Sequence, residues 1–304
     1  VNGILIINKP GGVSSSKVVT NIRKLFSGLK AGHTGTLDPL ATGVLPICLG
    51  RATRLAEYIV ELPKKYRAEA VLGKVSDTGD AEGKIVEKSA VPELKYSQVE
   101  EVLRGYTGDI EQFPPLYSAV KYEGKPLYHW TRKGREVQLK PRKVTIYDIE
   151  IIELTNQREP QLIFDVTCSK GTYIRTLAAD IGQSIGCGAY LSALVRNSVG
   201  PYQIADALTP EQVVNMVDKG RTRDIILPMD TAVMHLQQVN LDDKQVEALK
   251  NGLIIEPDDQ ELIMGLEDEL PIRVYDQRGI FKALVSKVAI SGRVGLKTIK
   301  YLAG

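Results

Sequence analysis

One carboxylate and one imidazole stand close together on a stretch that cannot be regular: Gly32-His33-Thr34-Gly35-Thr36-Leu37-Asp38-Pro39-Leu40-Ala41-Thr42-Gly43. Three glycines, three threonines and a proline break any helical period. Gly32, Gly35 and Gly43 suit positive φ or close approach of another molecule to the backbone. Pro39 steers Asp38 away from the right-handed α region. The stretch reads as a shaped loop that displays Asp38 and His33. It runs into Val44-Leu45-Pro46-Ile47-Cys48-Leu49, an apolar run of strand length, and a loop on a rigid element is a common seat for a reactive group. An ionised carboxylate there would serve as a nucleophile or as an electrostatic stabiliser. Asp-Pro is also an ordinary turn opener, so the loop alone leaves a structural role for Asp38 open.

The elements that must hold this loop lie on both sides of it. Gly3-Ile4-Leu5-Ile6-Ile7 is a buried-strand pattern, followed by the tight turn Asn8-Lys9-Pro10-Gly11-Gly12. Val18, Val19, Ile22, Leu25 and Phe26 recur at helical spacing behind a serine N-cap. Gly11 to Lys17 imitates a phosphate-binding loop. Ser16 stands where its second glycine belongs and Val18 where its hydroxyl belongs, so a nucleoside triphosphate site is rejected. Residues 51 to 59 read as a short helix. From Lys64 to Leu72, Tyr66, Ala68, Ala70 and Leu72 share one strand face. A strand tyrosine is usually core; at the start of its strand, after two lysines, Tyr66 is also placed to face a site.

Asp77 to Gly83 reads as a hairpin connection, since the ligand series of an EF-hand is absent. Ser97-Gln98-Val99-Glu100 has the form of a capping box and predicts a helix to about Gly105. Val144 to Leu154 and Leu162 to Ser169 predict paired strands. Gly171-Thr172-Tyr173-Ile174-Arg175-Thr176-Leu177 marks a strand end and a helix start. Tyr173 and Arg175 point the same way only if the chain is still extended there, and in isolation Arg175 reads equally as a surface arginine. Leu194 is plain core on local grounds. Thr209-Pro210-Glu211 opens a helix to residue 219.

The totals exclude more than they assign. The 304 residues suffice for one large domain and a small one. Net charge is +2, so a nucleic-acid partner is not announced by the whole chain and would need local segregation of charge. Cys48, Cys168 and Cys187 are odd in number and scattered, as are the three histidines. A disulfide framework or a zinc site is not expected, and a reducing cytoplasm is. No apolar run approaches membrane-spanning length, and residues 1 to 20 lack the order of a signal peptide. The sequence starts at Val1, so an initiator methionine is expected upstream.

Residues 113 to 143 differ in composition. Lys121, Lys125, Arg132, Lys133, Arg135, Lys140, Arg142 and Lys143 are opposed only by Glu123 and Glu136 between residues 121 and 143. Tyr122, Tyr128, His129 and Trp130 are interleaved. Cations neutralise phosphates and flat rings stack on unpaired bases; a solvated excursion with an aromatic anchor explains the same composition. Beyond residue 230 the texture changes. A helix from Leu241 to Lys250 precedes short strands at 272–275 and 281–285. Residues 240 to 271 carry ten acidic and two basic groups, residues 272 to 304 seven basic and one acidic.

The loop from Gly32 through Pro46 closely resembles the active-site motif of the tRNA pseudouridine-55 synthases of the TruB type. Asn8-Lys9-Pro10 with its serines resembles the first motif of several pseudouridine synthase families, and Lys64 to Gly73, Asp77 to Gly83, Pro114 to Lys121 and Gly171 to Leu177 resemble further segments of the TruB type. The resemblance covers about residues 3 to 230. It implies an α+β fold: a pseudouridine synthase catalytic domain over 1–230, with a mixed, largely antiparallel sheet flanked by helices and loops. It implies an RNA-gripping insertion at about 113–143 and, more weakly, a small β-rich PUA-like RNA-binding domain over 231–304.

By the same resemblance Asp38 is the nucleophile, and Arg175 is its partner, favouring the charged carboxylate. Tyr66 stacks on uracil and is a less secure base for the C5 proton, a phenol near pKa 10 being a poor one. Tyr173 and Leu194 line the uracil pocket, and His33 contacts the RNA or fills the space left by the displaced base rather than acting as an acid. The insertion residues Lys121, Lys125, Trp130, Arg132, Lys133, Arg135, Lys140, Arg142 and Lys143 grip it, while Lys9 and Pro10 are read as a structural turn. The expected partner is the T-arm of tRNA, with the uridine flipped out of its stack. No cofactor, metal, membrane or obligatory protein partner is expected, and a monomer is. The alternatives are a guide-dependent synthase subunit, against which the insertion argues, and a non-catalytic tRNA-binding or folding protein. An unrelated aspartyl-nucleophile hydrolase would need a metal or phosphate site that the sequence does not offer.

Overall fold

In the computed structural model of the chain, the described residues are 1–115, 117, 118, 120–127, 130, 137, 139–257, 259–290 and 292–303; the side chains of Lys121, Lys125 and Pro126 also lie outside the description. A mixed sheet organises the first two thirds. Its strands are β1 (Gly3–Lys9), β2 (Ala31–His33), β3 (Thr42–Leu49), β4 (Lys64–Leu72), β5 (Gly108–Gln112), β6 (Arg142–Thr155), β7 (Gln161–Cys168), β8 (Ala189–Val199) and β9 (Tyr202–Gln203). The order is β1-β3-β8-β4-β7-β6-β5, with β2 on β3 and β9 on β8. Only the β3–β8 pairing is parallel; the rest are antiparallel.

The alternation expected in β4 holds. Tyr66, Ala68, Ala70 and Leu72 join one core cluster with Phe164 and Val166 of β7 and with Leu177, Ala178 and Ile181 of the helix Ile174–Ile185, while Arg67 is exposed. Helix α1 (Ser15–Leu25) is capped by Ser14, whose hydroxyl accepts from the Lys17 N–H. It buries Val18, Val19 and Ile22 against Leu5, Ile7, Leu45 and Ile47. Residues 51 to 59 form a 3-10 turn, Gly50–Leu55, that continues into helix α2 (Ala56–Glu61). The hairpin expected around Asp77 to Gly83 joins Lys74–Ser76 to Ile85–Glu87. The capping box at Ser97 is not formed: the cap of helix α3 (Tyr96–Arg104) is Lys95, two residues earlier, and it makes no side-chain cap. Ser97 thereby falls inside the first turn, and burial of Val99 and Leu103 sets the register instead.

Helix α4 (Ile174–Ile185) follows an extended Tyr173 and ends at Gly186 in the left-handed region. Helix α5 (Pro210–Asp218) opens with a complete Thr209/Gln212 capping box. A second sheet follows, with order β10 (Gln238–Asn240), β11 (Ile272–Tyr275), β12 (Phe281–Ile290) and β13 (Arg293–Tyr301). Helix α6 (Asp243–Lys250), capped by Asp242, packs on it through Val246 and Leu249. The two sheets are joined by apolar packing rather than a loose tether. Tyr275, Phe281, Leu284 and Leu302 bury against Ile4, Ile6, Leu55 and Ile59. Among the described residues no helix is long and apolar enough to cross a membrane.

Candidate active site

The Asp38 loop is fastened from three directions. Lys9 is fully buried, and its Nζ donates to the carbonyls of Pro10 (2.8 Å), Val13 (2.7 Å) and Pro39 (3.2 Å). Burial pushes this ammonium down to about 8. The structural reading of Lys9 is thus explained: it ties the first turn to the residue after Asp38. From α1, Ser15 Oγ accepts from the Leu37 N–H (2.8 Å) and donates to the Leu37 carbonyl (2.9 Å). From β8, the guanidinium of Arg196 donates to the carbonyls of Val44 (2.7 Å) and Gly35 (3.1 Å). Gly43 has φ +100°, and a Cβ there would stand 2.3 Å from the Arg196 carbonyl oxygen, so the β3–β8 contact requires glycine.

Arg175 meets Asp38. Its Nη2 lies 3.0 Å from Asp38 Oδ2, and its Nη1 lies 3.1 Å from Asp80 Oδ2. Nη1 also donates to the Thr78 carbonyl and Nη2 to the Tyr117 carbonyl, each at 3.0 Å. Each terminal nitrogen thus serves one carboxylate and one carbonyl, which fixes the plane of the guanidinium. Asp80 is oriented in turn by the Thr78 hydroxyl (2.6 Å) and the Glu82 N–H (3.1 Å). Arg175 and Asp80 have side chains 7% and 2% exposed, whereas Asp38 keeps 42%, so the pair is buried behind a carboxylate that remains reachable. Burial raises the Asp38 carboxyl above the usual value; Arg175 and Lys9 oppose the rise and Asp80 adds to it.

Asp38 faces a cavity of about 390 Å³, whose walls include Tyr66, Tyr173, Leu194, Arg175 and Arg196. The helix has begun at Arg175, yet both Tyr173 and Arg175 reach this cavity, because Tyr173 is still extended and Arg175 opens the first turn. Gln112, 2% exposed, accepts from the Tyr173 N–H (3.0 Å) and donates to its carbonyl (3.4 Å). Burial raises both phenols; Arg196 opposes this at Tyr66, and the Ser118 hydroxyl opposes it at Tyr173. Two neutral tyrosines suit stacking better than proton abstraction. Leu194 belongs to the core cluster and to the cavity wall at once.

His33 stands apart from this group. It pairs with Ile47 on β2, outside the cavity lining, and burial and then Arg196 lower its pKa. Of the insertion residues, Arg142 is exposed and lines the cavity, and Lys140 and Lys143 are exposed. Trp130 is half-buried, and its indole N–H donates to the Tyr122 carbonyl (2.9 Å), so it anchors the short hairpin of Lys121–Tyr122 and Lys125–Pro126. Arg132, Lys133 and Arg135 lie outside the described residues, as do the side chains of Lys121 and Lys125.

Sequence reasoning missed Asp80, Arg196, Lys64 and Gln112. Asp80 was visible only as one of several turn carboxylates. Arg196 sits in the strand Tyr190 to Val199, which also carries Ser192, Asn197 and Ser198, so the arginine gave no local signal. Lys64 (5% exposed) lines the cavity; its Nζ donates to the carbonyls of Val60 and Leu62, and burial pushes it down to about 8.

Comparison with known proteins identifies the family. A family described as TruB family pseudouridylate synthase (N terminal domain) matches residues 23–174. A second, the tRNA pseudouridylate synthase B C-terminal domain, matches residues 175–234. The tRNA pseudouridine synthase B of a Marinomonas species is 42% identical over 279 residues, covering 91% of this chain and 88% of the relative. The tRNA pseudouridine synthase B of Francisella philomiragia is 51% identical over 209 residues, 68% of each chain. Among solved structures, a chain of a Cbf5-Nop10-Gar1 complex superposes with a TM-score of 0.74 at 26% identity, covering 99% of this chain and 85% of that one. The chain belongs to the TruB family of pseudouridylate synthases, and its activity is that of a tRNA pseudouridine synthase, an isomerase.

Proposed function

We propose that the chain converts the uridine of the tRNA T-loop, position 55, to pseudouridine by engaging a flipped-out base with Asp38. The observation that carries this reading is the Asp38 carboxylate, held by Arg175 at 3.0 Å and turned toward a cavity of about 390 Å³ walled by Tyr66, Tyr173 and Leu194. That volume falls in the range of small-ligand sites. The reaction breaks the bond from N1 to C1′, turns the base and joins C5 to C1′. It consumes no water and changes no oxidation state, so side chains suffice for it. Arg175 keeps Asp38 ionised against the burial that raises its pKa. Tyr66 stacks on the base, Tyr173 and Leu194 close the pocket, and His33 contacts the RNA beside it.

Cations at the cavity mouth and in the insertion offset the cost of extracting the base, a few kcal/mol in general. The small C-terminal sheet, with basic residues concentrated after residue 271, supplies a PUA-like RNA surface. Identity of 42–51% to the bacterial tRNA enzymes, against 26% to the Cbf5 chain, favours this reading over a guide-dependent subunit.

Nucleoside mapping of an unmodified tRNA transcript, incubated without guide RNA, tests the substrate. Pseudouridine is expected at position 55 alone; modification elsewhere, with 55 untouched, contradicts the proposal. Removal of residues 121 to 143 should weaken tRNA binding and flatten its dependence on salt, because fewer phosphates are neutralised. Unchanged binding and an unchanged salt slope would remove the gripping role.

A further inference from the structure

The cavity wall holds positive charge that the protein does not itself neutralise. Arg196 is 1% exposed and Lys64 5% exposed. Their hydrogen bonds go to uncharged partners: the carbonyls of Val44 and Gly35 and the Tyr66 phenol for Arg196, and the carbonyls of Val60 and Leu62 for Lys64. Neither forms an ion pair among the described residues. Two other cations of the cavity wall differ: Arg175 is matched by Asp38 and Asp80, and Lys170 by Glu61 at 2.5 Å; Arg142 has no such partner among the described residues but is exposed to water. The sheet register places Arg196 opposite both Tyr66 on β4 and Gly43 on β3, at the centre of the site, and Lys64 lies two positions before Tyr66 on the same face. Their mutual repulsion is part of what depresses the Lys64 ammonium.

A buried cation without a counter-ion is costly. A fold that keeps two beside one cavity is built for negative charge arriving there. Phosphate is the less fitting source, because Arg142 and Lys170 are exposed and open to a backbone, whereas Arg196 is covered. The base itself supplies the charge. If the Asp38 oxygen bonds to C1′, the N1–C1′ pair remains on uracil, as an anion shared by N1, O2 and O4. If it bonds to C6, the C5–C6 π pair moves to O4 as an enolate. The charge is discharged when C5 bonds to C1′, Asp38 departs with the pair it brought, C5 gives up its proton and N1 gains one.

We propose that Arg196, supported by Lys64, stabilises the negative charge that uracil acquires in the reaction; this rests on the Asp38 chemistry proposed above. Fixed charge aimed at developing charge is strongest where water is excluded. The test is single-turnover consumption of the target nucleotide in tRNA bearing either uridine or 5-fluorouridine there. Fluorine withdraws electrons and stabilises the anion without help. Arg196→Met should slow uridine by about 100-fold, with tRNA affinity within a few fold, and slow 5-fluorouridine distinctly less. Arg196→Lys should recover part of the rate.

Equal slowing of both bases would assign Arg196 to loop positioning alone. A loss confined to tRNA binding, with a shallower salt slope, would assign it to phosphate; either result overturns the proposal. Lys64→Met should show the same preference more weakly, and it carries the comparison if Arg196→Met does not fold. An inactive wild type would instead defeat the Asp38 chemistry beneath the proposal, a result distinct from an active wild type that Arg196→Met matches on both bases.

Discussion

Arg175→Ala should abolish turnover and lower stability by about 3–5 kcal/mol, the usual cost of leaving one half of a buried ion pair. Asp80 is 2% exposed and would lose its one ion-pair partner among the described residues, while the carbonyls of Thr78 and Tyr117 would lose this donor. The chemistry suffers separately. Arg175 is the largest influence that lowers the Asp38 pKa, whereas burial and Asp80 raise it. With the arginine gone only Lys9 opposes them, so the carboxyl holds its proton to higher pH. Any residual activity should therefore show an acid limb displaced to higher pH than in the wild type, because ionised Asp38 is the active form. Denaturant unfolding and a pH–rate profile check the two effects independently. A stable variant with an unmoved acid limb would mean that the pair does not govern Asp38.

Asp38→Asn should reduce turnover below detection and leave tRNA affinity within a few fold. The amide keeps the shape of the carboxylate, and its oxygen can still accept from Arg175 Nη2. Arg175 retains Asp80, so no buried cation is stranded. The loop remains fastened by Lys9, Ser15 and Arg196, none of which bonds to the Asp38 side chain. What the substitution removes is the carboxylate proposed to engage the nucleotide. Filter binding beside a modification assay separates the two properties. A comparable loss of affinity would make Asp38 a binding residue, and retained turnover would end its role as nucleophile.

The local pattern carried most of the fold. The apolar run Gly3–Ile7, the alternation from Tyr66 to Leu72 and the Thr209 cap each lie where period and capping place them, because those signals act within a few residues. Ser97 shows the limit of that reach: a correct capping motif yielded to the burial of Val99 and Leu103. Asp38 stood out because a glycine- and proline-shaped loop displays a single carboxylate, but the loop alone left a structural role open and the family resemblance supplied the catalytic one. Its pairing with Arg175 was not legible from spacing, since the two stand 137 positions apart and are joined only by the packing of α4 under the hairpin that carries Asp80; the family resemblance supplied it. Arg196 escaped notice because nothing local distinguishes a buried arginine on a strand from an exposed one. Its significance lies in the cross-strand register with Tyr66 and Gly43, which forms only in the sheet.

Release of tritium from C5-labelled uridine in an unmodified tRNA transcript tests the central claim most directly. It should be measured with chelator present and no guide RNA, for the wild type beside Asp38→Asn. Release by the wild type alone is the expected result, since C5 must lose its proton once it has replaced N1 at the sugar and Asp38 must engage the nucleotide first. Equal release by both proteins, or none by a wild type that binds tRNA tightly, would contradict Asp38-dependent isomerisation by this chain acting alone.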